Sequence, residues 1–328
     1  MAIHHREIGL SDQTAVEIYR YMFMARKVDE REWILNRAGK IHFVISCQGQ
    51  EAAQVGAAFA LEKGVDYLNP YYRDTGVVLV MGMTVRDLLL SAFAKAEDPN
   101  SGGRQMPGHF SSRKLNIMTQ SSPTGTQIPH AVGFALAAKY EKKPFVSFVT
   151  LGEGTSNQGD FHEALNFAGV HKLPVIVLVE NNQYAISVPV KKQLACESVA
   201  DRAVGYGMPG VSVDGNDPLE VYKAVKEARE RALRGEGGTL IEAKTYRLTP
   251  HSSDDDDRTY RSRDEVELAK KQDPILRYRE YILSQRLMDE GKLAALEKKV
   301  MEEIDEATRY AEEAPYPEPE SAMLHVYG

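Results

Sequence analysis

The chain has 328 residues, 43% of them hydrophobic, and its 40 basic and 47 acidic side chains give a net charge of −7. That length allows a large core, and the acidic balance without a dense Lys/Arg run argues against a nucleic-acid partner. The two cysteines, Cys47 and Cys196, predict neither a disulfide framework nor a zinc site, so we expect a reducing compartment.

No targeting or membrane segment is predicted. Residues 1–10 lack the apolar core and cleavage site of a secretory signal. The longest apolar stretch, residues 76–83, is too short to cross a bilayer. We therefore expect a cytoplasmic protein with no membrane partner.

The first predicted helix covers residues 11–36. Ser11 is a good N-cap, and Ala15, Ile18, Met22 and Ala25 recur on one face. Further helices are predicted at residues 49–61, after Thr84, and at 127–142, 160–172 and 218–234.

Strands are predicted between these helices, at residues 145–151, 175–179, 210–215 (the weakest) and 238–247. Alternating strands and helices predict a doubly wound, parallel α/β sheet. After residue 273 the pattern is helical again, and residues 314–320 read as an extended Pro-rich arm. We predict one domain over residues 1–328, with an N-terminal helical arm (1–48) and C-terminal helices and a tail (264–328).

Polar residues cluster where the two central strands end. Glu153 lies between Gly152 and Gly154 after one strand, and Asn182 follows the next. In parallel sheets these carboxyl ends form the ligand site. Carboxylate and amide oxygens suit magnesium, glycines permit close approach of an anion, and the following helix offers amides to phosphate. The spacing predicts a magnesium–diphosphate site, but an ordinary capped βα turn explains it equally well.

Five further motifs, in order along the chain, narrow the interpretation. They read NPYYRD (69–74), GRQMPGHF (103–110), SSPTGTQIPHAVG (121–133), ENNQYAIS (180–187) and YRLTPHSSDDDDRTYR (246–261). With GEG…NN, the chain resembles the alpha subunit of the thiamine diphosphate-dependent decarboxylating component of bacterial branched-chain 2-oxo acid dehydrogenase complexes. The resemblance covers nearly the whole chain and implies a thiamine diphosphate-binding fold.

The resemblance also implies roles for single residues. Glu153, Asn182 and the Tyr184 carbonyl would hold magnesium. The cofactor contacts would be Tyr72, Arg73, Ser122, Pro123, Glu153, Gly154, Thr155, Asn182 and His251. Arg73 would bind phosphate, although a surface salt bridge is the plain alternative.

Ser121, Pro123, Thr126 and Gln127 match a potassium site in relatives, and Ser122 would face the cofactor. A helix-capping cluster without an ion explains the same residues equally well.

His251 matches a position at which the imidazole faces the cofactor and assists acyl transfer. A histidine with a near-neutral pKa would suit that proton handling. The acidic run 254–257 lacks calcium-loop spacing, and we expect a mobile loop that cofactor binding orders. Ser252 matches a phosphorylation position of animal relatives.

Glu180 departs from part of the family, because some branched-chain relatives carry a phosphate-binding Arg there. A carboxylate would repel diphosphate, so Glu180 is expected to turn away or to pair with a cation.

The resemblance implies a shared active site. The Glu that activates the cofactor would come from a beta subunit in a two-plus-two tetramer, and a lipoyl domain of the acyltransferase component would accept the acyl group. The substrate would be a branched-chain 2-oxo acid such as 3-methyl-2-oxobutanoate. The alternatives are a pyruvate or acetoin dehydrogenase alpha subunit, or a non-catalytic scaffold.

Overall fold

A computed structural model describes residues 1–324 of the chain; the last four residues of the predicted tail lie outside it. The described part contains α1 (Asp12–Arg37), α2 (Glu51–Phe59), β1 (Tyr67–Asn69), α3 (Thr75–Met81), α4 (Val85–Ala92), α5 (Gln127–Glu141), β2 (Ser147–Gly152), α6 (Gly159–His171), β3 (Val175–Asn181), β4 (Tyr184–Ala185), β5 (Val188–Pro189), β6 (Gly210–Asp214), α7 (Pro218–Leu233), β7 (Thr239–Lys244), α8 (Arg263–Lys270), α9 (Pro274–Ser284) and α10 (Glu290–Glu313).

Five strands form one parallel sheet in the order β1-β2-β3-β7-β6, and β4 and β5 form a small antiparallel hairpin. The α/β prediction is confirmed. In the register of β2 and β3, Gly152 lies opposite Glu180. The residues that follow these two positions therefore leave the sheet side by side, at the same edge.

Side chains of β3 alternate between two cores. Val175, Val177 and Val179 pack with residues of α5 and α6. Ile176 and Leu178 pack on the other face, with residues of α1, α2 and α7. Every residue of β3 is buried, and each buried aliphatic side chain stabilises the fold by about 1.5–3 kcal/mol. This burial on both faces makes β3 a rigid support for the polar residues at its end.

The predicted helix starts are confirmed where capping chemistry marked them. Ser11 caps α1 by accepting a hydrogen bond from the Thr14 amide at 3.0 Å. Thr84 forms a capping box with Asp87 at the start of α4. The predicted apolar face of α1 is buried. The predicted C-terminal helices are also present, and α10 buries Leu293, Val300, Ile304, Ala307, Thr308 and Ala311. Arg26 then joins α1 to α2 and to the start of α9, through ion pairs with Glu51 and Asp273.

The prediction missed β1, α3, β4, β5 and α8. The segment with Tyr72 and Arg73, expected between two helices, joins β1 to α3. The tail is extended only to residue 318, because Pro319–Met323 form a 3₁₀ helix. None of the helices in residues 1–324 is long and apolar enough to cross a membrane.

Candidate active site

A cavity of about 430 Å³ lies where β1, β2 and β3 end. The loops that follow these strands form one wall, and the β4–β5 hairpin and the loop after β7 close the other sides. Its lining residues are Tyr71, Tyr72, Arg73, Ser122, Pro123, Thr124, Gly152, Glu153, Gly154, Thr155, Gln158, Asn182, Tyr184, Ala185, Ile186 and His251. The structure thus brings together every residue predicted to contact the cofactor; their roles stay predictions.

Glu153 and Asn182 are neighbours at the base of the cavity. Both are buried. One carboxylate oxygen of Glu153 accepts from the Asn182 amide N–H at 3.3 Å, and the other accepts from Gln193 Nε2 at 3.0 Å. The Asn182 side chain donates to Gln50 Oε1 at 3.1 Å. Its amide nitrogen is therefore committed to Gln50. Its amide oxygen accepts from the Tyr184 N–H at 3.3 Å and keeps a second lone pair that can face a cation.

The charge of Glu153 has no cationic partner within residues 1–324. Burial raises the pKa of Glu153 above its ordinary value, although its hydrogen bonds to Gln193 and Asn182 oppose the shift. A buried carboxylate without a counter-ion is costly. The described residues contain no group of three His, Cys, Asp or Glu side chains that could hold a metal. A hard cation at Glu153 would therefore need amide or carbonyl oxygens as its other ligands, and Asn182 and Tyr184 supply both types.

The Tyr184 carbonyl already accepts a hydrogen bond from Arg247 Nη1 at 3.1 Å. A carbonyl oxygen has a second lone pair, so this bond leaves one position for a cation. Arg247 also donates to the Ile186 carbonyl at 2.8 Å. The guanidinium thereby fixes the turn between β4 and β5 against the end of β7.

Arg73 is almost fully buried, at 2% exposure, which excludes the surface salt bridge considered above. Its guanidinium donates to the Ser46 carbonyl at 2.8 Å, and to Nδ1 and the carbonyl of His251, both at 2.9 Å. Neither Arg73 nor Arg247 forms an ion pair with a carboxylate in the described part of the chain. Two buried and unpaired guanidinium groups beside a cavity favour an anionic ligand.

His251 is held in one tautomer by Arg73. A guanidinium only donates, so Nδ1 must accept and the ring proton lies on Nε2. Burial, together with the positive charges of Arg73 and Arg247, lowers the pKa of His251 to about 4. The near-neutral pKa expected from the sequence is therefore wrong. The imidazole is uncharged at neutral pH and can donate a hydrogen bond only through Nε2.

Gly152 and Gly154, which flank Glu153, differ in the space available for a side chain. A Cβ at Gly154 would lie 2.5 Å from Cβ of Ala185, so this glycine is required by the β4–β5 hairpin rather than by an anion. A Cβ at Gly152, which lines the cavity, would meet only Tyr71, at 4.0 Å. The segment directly after Gly152 is a 3₁₀ helix, Glu153–Asn157, not the start of α6. The helix predicted at residues 160–172 is confirmed as α6, and the 3₁₀ turn before it, which was not predicted, places Thr155 in the lining of the cavity.

The residues predicted for potassium are only partly grouped. The Ser121 hydroxyl lies 2.7 Å from the Thr126 hydroxyl and 3.0 Å from the Pro123 carbonyl. The Gln127 side chain is buried and committed elsewhere, because it donates to the Thr150 carbonyl and accepts from the Gly125 amide. Neither hydroxyl caps α5, since Thr126 at its N-cap makes no side-chain capping bond.

Glu180 turns away from the cavity, which is the first of the two predicted arrangements, and it forms no ion pair within residues 1–324. It is fully buried behind Tyr71 and accepts from Gln54 Nε2 at 2.9 Å and from the Tyr71 hydroxyl at 3.1 Å. Among residues 1–324, no group donates a hydrogen bond to one oxygen of Glu180 and one oxygen of Asp74. Burial and the neighbouring charge of Glu180 raise the pKa of Asp74 well above its ordinary value. Burial also raises the pKa of Glu180, so this pair of carboxyl groups favours a protonated state with less negative charge on this side of the cavity.

The acidic loop after His251 is held by its own hydrogen bonds. Asp255 accepts from the His251 amide at 2.7 Å and from the Tyr260 hydroxyl at 2.5 Å. Asp257 pairs with Arg261. Ser252 is buried, at 7% exposure, so a modifying enzyme would reach its hydroxyl only if the loop moved.

Three residues that position groups of the site were not predicted from the sequence: Gln50, Gln193 and Arg247. Gln50 and Gln193 lie 132 and 40 residues from the side chains they orient, and glutamine carries no local signal of such a role. Arg247 lies within the motif 246–261, shortly after β7 ends at Lys244. Only the fold shows that its side chain contacts the β4–β5 turn.

Comparison with known proteins agrees with this geometry. The sequence profile described as "Dehydrogenase E1 component" matches residues 19–320. The chain belongs to the dehydrogenase E1 component family. Within it, the chain is 65% identical over 323 residues to a protein of Bacillus subtilis named 2-oxoisovalerate dehydrogenase subunit alpha, covering 98% of each chain.

Two other E1 relatives are more distant. The 3-methyl-2-oxobutanoate dehydrogenase subunit alpha of Mycobacterium tuberculosis is 43% identical over 307 residues, which are 93% of this chain and 80% of the relative. The pyruvate dehydrogenase E1 component subunit alpha of Staphylococcus aureus is 40% identical over 284 residues, 86% of this chain and 74% of the relative.

Proposed function

We propose that this chain is the alpha subunit of a branched-chain 2-oxo acid dehydrogenase, acting on 3-methyl-2-oxobutanoate. The observation that carries the substrate assignment is the 65% identity, over 98% of both chains, to a relative named for 2-oxoisovalerate. The pyruvate-type relative reaches only 40%. We also propose a cytoplasmic location and a single, doubly wound domain over residues 1–328, with an N-terminal helical arm (1–48) and C-terminal helices and a tail (264–328).

Thiamine diphosphate and magnesium fit the cavity. Glu153 offers a buried carboxylate that lacks a cation, and the Asn182 amide oxygen and Tyr184 carbonyl complete a hard-oxygen donor set. Arg73 supplies unpaired positive charge for the diphosphate, and Tyr72, Gly154 and Thr155 line the same cavity. When bound, the cofactor would supply the electron sink for decarboxylation.

The residues of this chain then have separate tasks. Arg73 would bind phosphate and hold His251 in the Nε2–H tautomer, so that His251 donates a hydrogen bond into the cavity while staying uncharged. Ser122 and Pro123 would contact the cofactor at the mouth. A potassium ion at Ser121, Pro123 and Thr126 remains a proposal; Gln127 would have to contribute through its backbone.

We propose a beta subunit as partner, in a two-plus-two tetramer, with a lipoyl domain of the acyltransferase component as acyl acceptor. Support comes from the cavity itself. Among its lining residues within 1–324, Glu153 is the one carboxylate, and it points to the metal position. The acid that activates the cofactor must therefore come from another chain.

The substrate assignment is tested with the reconstituted alpha–beta pair, by comparing kcat/KM for 3-methyl-2-oxobutanoate and pyruvate in an artificial-acceptor assay. We expect a clear preference for the branched substrate. A preference for pyruvate would move the chain to the pyruvate-type relatives. Failure to bind thiamine diphosphate with magnesium in calorimetry would favour a non-catalytic scaffold.

A further inference from the structure

A buried histidine lies behind Ser122 at the mouth of the cavity. Nε2 of His109 is 2.7 Å from the Ser122 hydroxyl oxygen. His109 is 9% exposed, whereas Ser122 lines the cavity. The imidazole itself does not line the cavity, so any influence on a ligand passes through Ser122.

The partners of the other ring nitrogen place the protons. Nδ1 of His109 lies 3.0 Å from the Met106 carbonyl and 3.4 Å from the Pro107 carbonyl. Carbonyl oxygens only accept, so Nδ1 carries the hydrogen of the neutral ring and Nε2 is an acceptor. The Ser122 hydroxyl must then donate its single proton to Nε2. Toward the cavity, the Ser122 oxygen therefore presents only its lone pairs and can only accept a hydrogen bond.

We propose that His109 is a positioning residue that presents Ser122 to the cofactor as a hydrogen-bond acceptor only. This rests on the proposed function. Thiamine diphosphate offers acceptors at its phosphates and an N–H donor at the amino group of its pyrimidine ring. If the Ser122 hydroxyl can only accept, it can form a hydrogen bond with that amino group. It cannot form one with a carbonyl oxygen at the same position, because both groups would be acceptors.

The test compares thiamine diphosphate with oxythiamine diphosphate, in which a carbonyl oxygen replaces the amino group. Affinities are measured by calorimetry with magnesium and the alpha–beta pair, at one fixed pH for all variants. In His109→Asn, the shorter amide can still donate to the Met106 carbonyl but does not reach Ser122. The freed hydroxyl can then rotate and donate to the analogue.

We expect His109→Asn to lower the affinity ratio of cofactor to analogue by about tenfold, the effect of one hydrogen bond. His109→Gln, whose side-chain oxygen can accept near the Nε2 position, should restore most of the ratio. In Ser122→Ala the ratio should be low whether or not His109 is also replaced.

Equal weakening of both ligands by His109→Asn would overturn the inference, since a purely structural role predicts that result. A further drop in the ratio when His109→Asn is added to Ser122→Ala would also overturn it. If the unmodified pair binds neither ligand, the proposed function itself fails. Should His109→Asn not assemble with its partner, His109→Phe, which keeps the ring volume and removes both nitrogens, replaces it in the same comparison.

Discussion

The guanidinium of Arg73 lies 2.9 Å from Nδ1 of His251 and donates a hydrogen bond to it. The sequence places these residues 178 positions apart, and the fold joins them in one wall of the cavity. This contact fixes the imidazole tautomer and, after burial, is the main cause that lowers the pKa of His251 to about 4. Arg73, the cation proposed to bind phosphate, and His251, an uncharged hydrogen-bond donor, are therefore held together as one structural unit.

This depressed pKa makes stability depend on pH. An unfolded histidine takes up its proton near pH 6.5, whereas His251 does so only near pH 4 in the fold. Between these values the unfolded chain binds more protons, so this contribution is complete above about pH 6.5 and is lost as the pH falls toward 4. We expect His251→Asn, which keeps an acceptor for Arg73, to flatten the fall in unfolding free energy between pH 7 and pH 5.

Urea unfolding of the two proteins at several pH values measures the difference. The matched control is His130→Asn, which replaces an exposed histidine on α5. Parallel stability curves for His251→Asn and the unmodified chain would show that Arg73 does not hold the imidazole as described.

Glu153 leads to a second prediction, because its buried charge lacks a cation. Glu153→Gln keeps the shape of the side chain and removes that charge. Without metal, we expect this variant to be more stable than the unmodified chain at pH 7 by about 1 kcal/mol, because relief of the buried charge exceeds the loss of the one hydrogen bond that an amide NH2 cannot accept. With magnesium and thiamine diphosphate the order should reverse, because ligand at about 100 times its Kd adds about 2.7 kcal/mol to the unmodified protein only.

Thermal unfolding of the alpha–beta pair, with and without both ligands, tests this reversal. Glu163→Gln is the matched control, since Glu163 is an exposed residue of α6. A Glu153→Gln protein that gains as much stability from the ligands as the unmodified protein would exclude Glu153 as a metal ligand.

The sequence predicted most helices and the central strands well, because each has a local signal, and the residues predicted to contact the cofactor all line one cavity. Capping at Ser11 and the apolar run of β3 are legible within a few residues. The short strand β1 offers three residues and no periodicity, so it was missed. The pKa of His251 could not be predicted, since it depends on Arg73 and Arg247, which the fold brings together. The direction of Glu180 could be predicted from charge, but its hydrogen bonds to Gln54 and Tyr71 could not.

Gly154 and Gly159 provide a third prediction, because they differ in the space around them. A Cβ at Gly154 would lie 2.5 Å from Cβ of Ala185, whereas a Cβ at Gly159 meets nothing within 4 Å. We expect Gly154→Ala to destabilise the chain by about 1–3 kcal/mol, because overpacking displaces the hairpin. Gly159→Ala, in the first turn of α6, should be neutral or stabilising by up to about 1 kcal/mol.

Urea unfolding measures both substitutions. Because the hairpin carries Tyr184 and Ile186, Gly154→Ala should also weaken cofactor binding, while Gly159→Ala should not. Equal stability of the two variants would mean that the hairpin adapts without cost.

Ile186 gives the last prediction, because its backbone is strained. This residue lines the cavity at the hairpin turn with φ at 55°, a conformation that a β-branched residue rarely adopts. Arg247 holds the turn in this conformation, because its guanidinium donates hydrogen bonds to the carbonyls of both Tyr184 and Ile186. Strain of this kind costs about 1–3 kcal/mol and persists where the surrounding structure imposes it.

Replacing Ile186 with Gly should therefore stabilise the chain by about 0.5–1 kcal/mol, since the relieved strain exceeds the added freedom of the unfolded chain. Little burial is lost, because Ile186 is 57% exposed. Val188→Gly is the matched control: Val188 is also β-branched and partly exposed, but it lies in β5 without a positive φ, so its replacement should destabilise. Two results together would show that the strained conformation of Ile186 serves ligand binding. In urea unfolding, Ile186→Gly should raise the free energy of unfolding while Val188→Gly lowers it, and Ile186→Gly alone should weaken cofactor binding. Destabilisation by both would instead assign Ile186 a packing role in the hairpin.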